Sequence, residues 1–333
     1  MGTEERSSMH GGARMKIISP VDHRDEAQGL LDAGADELYG GFVPPDWEVK
    51  FGMAASINQR TFAAAQIGSF EDLAAIVALA HERGRTFSLT LNAPFYDQAM
   101  LPDLLAYVDE ALAVGVDAVI LADLALLRLL ARRHPDLELH ASTLAHLGNS
   151  EAVRFFQAQG VRRVVLPRHL SVAEMTAIVR EVPGLRFDAF MLVGKCPNTE
   201  GLCTLHHTSP DRIWPCEIPY EITPLHAPAS PQLQAAMARQ GGWATTNRRH
   251  GCGLCAIPHL AAAGIYGLKL VGRGAPTAQK IKNIQLVRRF LELAETQPDF
   301  AAYRSLARKA HAQRFGSPCS PNVCYYPEFY EAE

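Results

Sequence analysis

The feature that most constrains this chain is a recurring unit: an alanine-rich amphipathic stretch, a glycine, and then a short β-branched run. It recurs at Gly34-Ala-Asp-Glu-Leu-Tyr39, Gly84-Arg-Thr-Phe-Ser-Leu89, Gly115-Val-Asp-Ala-Val-Ile-Leu121, Gly160-Val-Arg-Arg-Val-Val-Leu166, Gly184-Leu-Arg-Phe-Asp-Ala-Phe190 and Gly264-Ile-Tyr-Gly-Leu-Lys-Leu270. The glycine suits the left-handed residue that ends a helix, and the apolar run after it reads as a buried strand. Met15-Lys-Ile-Ile-Ser19 and Leu137-Glu-Leu-His140 fit the same rhythm, which brings the strands to eight. The spacing predicts helices over 25–33, 69–83, 101–114, 124–133, 149–159, 171–182 and 278–296, with Ser69, Asn149 and Ser171 as caps. Repeated βα units require a parallel sheet with right-handed crossovers, and eight of them favour a closed, TIM-barrel-like (β/α)8 fold of the α/β class.

Two insertions break the rhythm: residues 41–68 follow the second strand, and residues 194–263 lie between the seventh and eighth. In a barrel the loops after strands build the active face, so both are expected over the mouth. No cysteine occurs before residue 196, and the second insertion holds Cys196, Cys203, Cys216, Cys252 and Cys255 of the seven in the chain. Cys319 and Cys324 lie in a proline- and aromatic-rich tail. The expected organisation is a disordered extension over 1–14, a barrel over 15–298 that includes the cysteine-rich insertion 194–263, and a C-terminal strap over 299–333. Met9 and Met15 are alternative starts.

A formal net charge of −3 provides no global basic field, which argues against extended nucleic-acid binding. The sequence offers no apolar run that reads as a membrane span, and its first residues lack the apolar core of a secretory signal. A reducing cytoplasm is therefore expected, where clustered cysteines serve more often as ligands or catalytic groups than as staples.

Cys252 and Cys255 form one tight Cys-x2-Cys pair, whereas Cys196 and Cys203 have six residues between them. Tight pairs are the zinc pattern, and wider intervals suit an iron–sulfur cluster, so both occupants stay open. Polar residues at the ends of strands form a second set. His140, Arg168 and Asp123 are the catalytic candidates, and Asn92, Ser142, Lys269 and Arg273 the substrate-binding ones. Asp123 and Ser142 read equally well as helix caps. The cations His140, Arg168 and Arg273 around one mouth would favour a small anionic molecule. His206 and His207 are open as ligands, although adjacent histidines in a polar loop are more often solvated. A Cys–His peptidase dyad also stays open.

Several motifs in order resemble the collagenase-like peptidases of family U32. They are Asp117-Ala-Val-Ile-Leu-Ala-Asp-Leu124, Leu139-His-Ala-Ser-Thr143, Asn149-Ser-Glu-Ala152, Val164-Val-Leu-Pro-Arg168, Gly194-Lys-Cys196, Gly201-Leu-Cys203, Cys252, and Ala263-Gly-Ile through Leu268-Lys-Leu-Val-Gly-Arg273. The resemblance implies a barrel carrying a [4Fe–4S] cluster on Cys196, Cys203, Cys216 and Cys252. It also implies an oxygen-independent hydroxylase of the UbiU/UbiV type, acting on a small or medium-sized substrate such as a quinone precursor, a peptide or a specialised metabolite. A prephenate-like anion would donate the oxygen, and a homologous partner subunit would be present. RNA-base hydroxylation, a peptidase and a non-catalytic heterodimer subunit are the alternatives. The family's strand-eight motif carries a glutamate where this chain has Val271, and Cys255, Cys319 and Cys324 exceed the family pattern.

Overall fold

The computed structural model describes residues 14–52, 57–60, 62–196, 198–203, 225, 230–241, 249–297 and 299–330. The expected N-terminal extension (but for Arg14), Cys216 and the pair His206–His207 lie outside them. Eight parallel strands close in sequence order into a barrel. They are β1 (Lys16–Pro20), β2 (Glu37–Gly40), β3 (Thr86–Leu91), β4 (Ala118–Leu121), β5 (Glu138–Ala141), β6 (Val161–Val165), β7 (Arg186–Leu192) and β8 (Gly267–Leu270). Hydrogen bonding of β8 to β1 completes the ring, so no sheet edge is left open. The (β/α)8 expectation is met.

Helices cover the outside: α1 (Arg24–Asp32), α2 (Trp47–Phe51), α3 (Phe70–Glu82), α4 (Leu101–Ala113), α5 (Leu124–Arg133), α6 (Ser150–Ala158) and α7 (Val172–Glu181). After them come α8 (Pro231–Gly241), α9 (Ile257–Ala262), α10 (Thr277–Thr296) and α11 (Phe300–Phe315). Ser69 and Asn149 cap α3 and α6, and Ser171 forms a full capping box with Glu174 at α7. The helix over 300–315 was not expected from the sequence. Its buried positions are Tyr303, Ala307, Ala310 and His311, too small or too polar to mark an apolar stripe.

The stretch Ala63–Glu82 is apolar enough to cross a membrane by length and composition, contrary to the sequence reading. Its α-helix is only the 13 residues of α3, which bury Leu73, Ile76, Val77 and Ala80 in the core. A helix of that length rises roughly 20 Å, short of a bilayer core.

The main core lies between strands and helices, and a smaller apolar cluster of Ile18, Tyr39 and Ile120 stands apart from it. A buried polar network accompanies that small cluster. Arg163 Nη1 donates to Glu37 (2.6 Å), Arg163 Nε donates to Asp188 (2.8 Å), and Ser88 Oγ donates to the other Glu37 oxygen (2.8 Å). Backbone packing at the strand ends is equally tight. A Cβ on Gly40 would run into the Val21 carbonyl oxygen, a backbone atom that cannot step aside. Gly40→Ala should therefore lose roughly 1–3 kcal/mol as an overpacked site, read by thermal denaturation.

Candidate active site

The strand ends open into a cavity of about 240 Å³ at the C-terminal mouth. Among the described residues, Arg60, Arg168, Lys269 and Arg273 line it as cations and Glu200 as a carboxylate. Arg60 comes from the expected 41–68 insertion, and neither Arg60 nor Glu200 was singled out by the sequence. Both stand in loops whose approach to the mouth depends on how the chain closes.

Arg273, Arg168 and Lys269 each have partners at the mouth. Arg273 donates through Nη1 to Thr90 Oγ1 (3.2 Å) and through Nη2 to the Asn58 carbonyl, which joins β8's exit to β3 and the insertion. Arg168 lies 3.6 Å over the Phe190 ring and pairs with Glu200. Lys269 Nζ sits 3.7 Å from the Tyr39 ring centroid, and Tyr39 Oη donates to the Leu270 carbonyl (2.7 Å). Burial pushes Lys269 down to about 8, with Asp188 and Glu37 opposing and Arg163 and Arg273 adding to the fall. Burial likewise lowers Arg60 and Arg273, yet a guanidinium keeps its proton at neutral pH. Burial also raises Tyr39 to about 12, so its hydroxyl remains a donor.

Several polar atoms of this lining, Asn92 Oδ1, Thr143 Oγ1 and Arg168 Nε among them, are buried without a protein hydrogen-bond partner. Buried polar atoms left this way are costly, and at a cavity wall they are the natural contacts of a polar ligand. Ser142 also lines the cavity while its hydroxyl accepts from Leu144 N (3.2 Å), a cap contact. Asp123 is a cap: its carboxylate accepts from Leu126 N (2.7 Å) at the start of α5, and it is not in the cavity lining. His140 is also outside that lining. It is buried in β5, hydrogen-bonded to Glu138, with the charges of Arg163 and Glu37 nearby. Burial holds it below the ordinary histidine value despite the Glu138 contact.

Three of the expected cluster ligands, Cys196, Cys203 and Cys252, are among the described residues, and they do not share one cavity. Cys196 and Cys203 line the mouth cavity, and Asn198 Nδ2 approaches the Cys203 sulfur at 3.8 Å. Cys252 is buried and lines a different, smaller cavity together with Cys255, Cys319 and Cys324. Two mouth thiols suit one side of a cluster, whereas the observed position of Cys252 does not complete it.

Between the two thiol groups the chain is bent sharply. Val193 has φ 62 and Gly194 φ 67, consecutive left-handed residues directly before Lys195 and Cys196. For β-branched Val193 this costs on the order of 1–3 kcal/mol. It is held there by Val193 N donating to Gly251 O (2.8 Å) and by the Tyr325 hydroxyl donating to Val193 O. Gly194 packs directly against Val271, which lines the cavity where the resemblance leads one to expect a glutamate.

A closed parallel barrel with polar strand ends converging on a cationic, thiol-edged cavity defines the class: an α/β barrel with a cavity at the face where such barrels carry their ligand sites. The chain belongs to Peptidase family U32, whose sequence pattern matches residues 23–321. It is 26% identical over 190 residues to tRNA hydroxylation protein P of Escherichia coli (strain K12), covering 57% of this chain and 39% of that protein. It is 26% identical over 216 residues to the 23S rRNA 5-hydroxycytidine C2501 synthase of the same organism, covering 63% and 30%. A third relative, named collagenase, from Porphyromonas gingivalis (strain ATCC BAA-308 / W83), is 26% identical over 211 residues, covering 59% and 47%. The matches thus span less than half the length of these relatives. Among solved structures, the U32 peptidase Mk0906 aligns with a TM-score of 0.44 at 16% identity, over 60% of this chain and 78% of that one.

Proposed function

We propose that this chain is a hydroxylase that acts on a planar ring at the barrel mouth, with an RNA nucleobase as the leading substrate class. The observation that carries the reading is one cavity in which, among the described residues, four cations and two thiols meet buried polar atoms such as Asn92 Oδ1 and Thr143 Oγ1 that lack a protein partner. The cations would hold a small anionic co-substrate of the prephenate kind as oxygen donor. Asn92 Oδ1 and Thr143 Oγ1 would accept hydrogen bonds from the ring's edge. RNA is put ahead of a quinone precursor because one relative is by name a tRNA hydroxylation protein and another a 23S rRNA 5-hydroxycytidine synthase. The proposed cofactor is an iron–sulfur cluster reached through Cys196, Cys203 and Cys216, with zinc as the alternative. Bound there, a cluster would supply one-electron chemistry beside the cavity.

The test is anaerobic. The full chain is purified, its cluster reconstituted, and iron and acid-labile sulfide assayed. The protein is then incubated with a dicarboxylate donor and either transfer RNA, ribosomal RNA fragments or free aromatic-ring acids. Mass spectrometry should find one added oxygen on a nucleobase, lost in Cys196→Ser. Oxygen added to a free ring acid alone would move the substrate to the quinone-precursor class. An iron-free protein that adds oxygen to nothing, or that cleaves peptides without iron, overturns the reading.

A second reading has its own support. Val271 puts two methyl groups where the family motif supplies a carboxylate, as a subunit that had handed its reaction to a homologous U32 partner would allow. Stoichiometric co-purification of such a partner, with activity only in the pair, would favour it.

A further inference from the structure

The four cysteines left over or displaced from the mouth come together in a second place. Cys252, Cys255, Cys319 and Cys324 line one small cavity of about 10 Å³, beside Tyr326, Arg308 and His311. That is room for roughly one water-sized body, enough for a single ion and not for a four-iron cluster. In sequence the four form two tight pairs, Cys252-x2-Cys255 and Cys319-x4-Cys324. Both intervals fall within the knuckle spacing of structural zinc sites.

The backbone brings the pairs together without help from the thiols. Cys252 makes an antiparallel bridge to Leu192 at the end of β7 and a parallel bridge to Cys324. Cys252 N donates to Val323 O (2.9 Å), Tyr325 N donates to Cys252 O (2.8 Å), and Gly253 N donates to Met191 O (2.8 Å). Amides also reach the sulfurs: Leu254 N–H approaches Cys252, Tyr326 N–H approaches Cys324, and Ser320 N–H approaches Cys319. Leu254 and Tyr326 lie two residues after their cysteines and Ser320 directly after its own, and such amide donors stabilise a thiolate. Arg308 and Lys195 add positive charge near Cys319.

We propose that Cys252, Cys255, Cys319 and Cys324 form a tetrathiolate zinc site that clasps the C-terminal segment to the end of β7. The site takes Cys252, which the resemblance would give to the cluster, so it requires the mouth cluster of the hydroxylase reading to be held without that thiol. Binding is a proton exchange with no redox change: the zinc ion enters, four thiols become thiolates, and four protons leave to solvent. The resulting double negative charge is met by Arg308 and Lys195. Among the described residues no group of three or more such side chains is arranged to hold a metal ion, so coordination requires these side chains to rearrange on binding. Without a metal, burial holds Cys255 up at about 12 and Cys324 at about 11, the behaviour of neutral thiols. A bound ion reverses that preference.

The clasp acts on the mouth through Lys195, Tyr325 and Tyr326. Lys195 Nζ donates to the Pro321 carbonyl (3.3 Å) and to the Cys324 carbonyl. Tyr326 Oη donates to the Phe190 carbonyl (2.7 Å), and the Tyr325 ring stacks on Phe190, the ring under Arg168. A fastened tail therefore fixes the bend at Val193 and the platform of one mouth cation.

The experiment uses the full chain purified anaerobically, with metals measured by plasma mass spectrometry. About one zinc per chain is expected in the wild type and in Cys196→Ser and Cys203→Ser. It should be lost in Cys255→Ser and Cys319→Ser, which should also open residues 317–330 to limited proteolysis. Replacement of the metal by cobalt(II) in the wild type should give the absorption of tetrahedral sulfur coordination, a readout that survives if the serine variants fail to fold. Absence of zinc with all thiols free to titrate overturns the proposal, as does a disulfide found by mass among the four. Iron lost on Cys255→Ser or Cys319→Ser also overturns it, by giving these thiols to a cluster. Because the mouth variants are scored separately, loss of hydroxylase activity alone leaves the zinc result intact.

Discussion

Arg163→Met is expected to cost about 3–5 kcal/mol of stability, the usual range for breaking a buried ion pair from one side. Arg163 is 1% exposed, Glu37 is 4% and Asp188 is 1%, and the guanidinium pairs with both carboxylates. Methionine fills much of the same volume, so the loss reads the charge and not a cavity. Burial pushes the Glu37 carboxyl up, but the charges of Arg163 and His140 and the Arg163 and Ser88 hydrogen bonds win and hold it below its ordinary value. A carboxylate depressed in this way contributes stability above the ordinary glutamate range and loses it as pH falls. The gap between wild type and variant should therefore be widest at neutral pH, with Tm lower by on the order of 10 °C, and should shrink toward acid. Adding Glu37→Gln and Asp188→Asn to the Arg163→Met background should restore most of the loss. Thermal denaturation across pH checks this, and a single variant as stable as the wild type would show the network to be dispensable.

The barrel itself was legible because its signals are local. A helix-ending glycine followed by a β-branched run occupies a handful of residues, and each of the eight strands was found within a few residues of its observed span. Cavity residues such as Arg168, Lys269 and Arg273 followed from position alone, since a residue at the end of a barrel strand has few places to go. His140 shows where that rule loses resolution. It stands one residue from the end of β5 and falls outside the mouth lining, because a single step along a strand changes which face or depth a side chain reaches. Asp123 shows a different failure: an aspartate between strand and helix serves the cap before it serves a ligand. The grouping of Cys252 with Cys319 and Cys324 was not legible at all. It depends on a tail folding back across the barrel, and sequence spacing over such distances carries no geometric information.

Anion binding at the mouth should weaken as pH rises through about 8, and Lys269 is the group that sets this value. Burial favours its neutral amine, while a bound anion favours the ammonium, so the complex carries a higher pKa than the free protein. Affinity is then full below about 8 and falls as the free lysine gives up its proton. The folding linkage has the opposite direction: the buried lysine binds fewer protons than the unfolded chain between its folded and ordinary values, so stability there rises with pH. Lys269→Arg should abolish the inflection and keep binding at high pH, because a guanidinium does not titrate in this range. Arg273→Ala removes a permanent charge with two fixed partners, Thr90 and the Asn58 carbonyl. A hydrogen bond to a charged group contributes about 1.5–3 kcal/mol, so the Kd for a dicarboxylate should rise roughly 10- to 150-fold. Arg273→Lys should recover only part of this, since an ammonium cannot span both partners and the ligand at once. Calorimetric titration of the full chain with a dicarboxylate at several pH values separates the two residues. A pH-dependent Kd that survives Lys269→Arg would assign the inflection to another group, and an unchanged Kd in Arg273→Ala would remove the cationic mouth as the anion's holder.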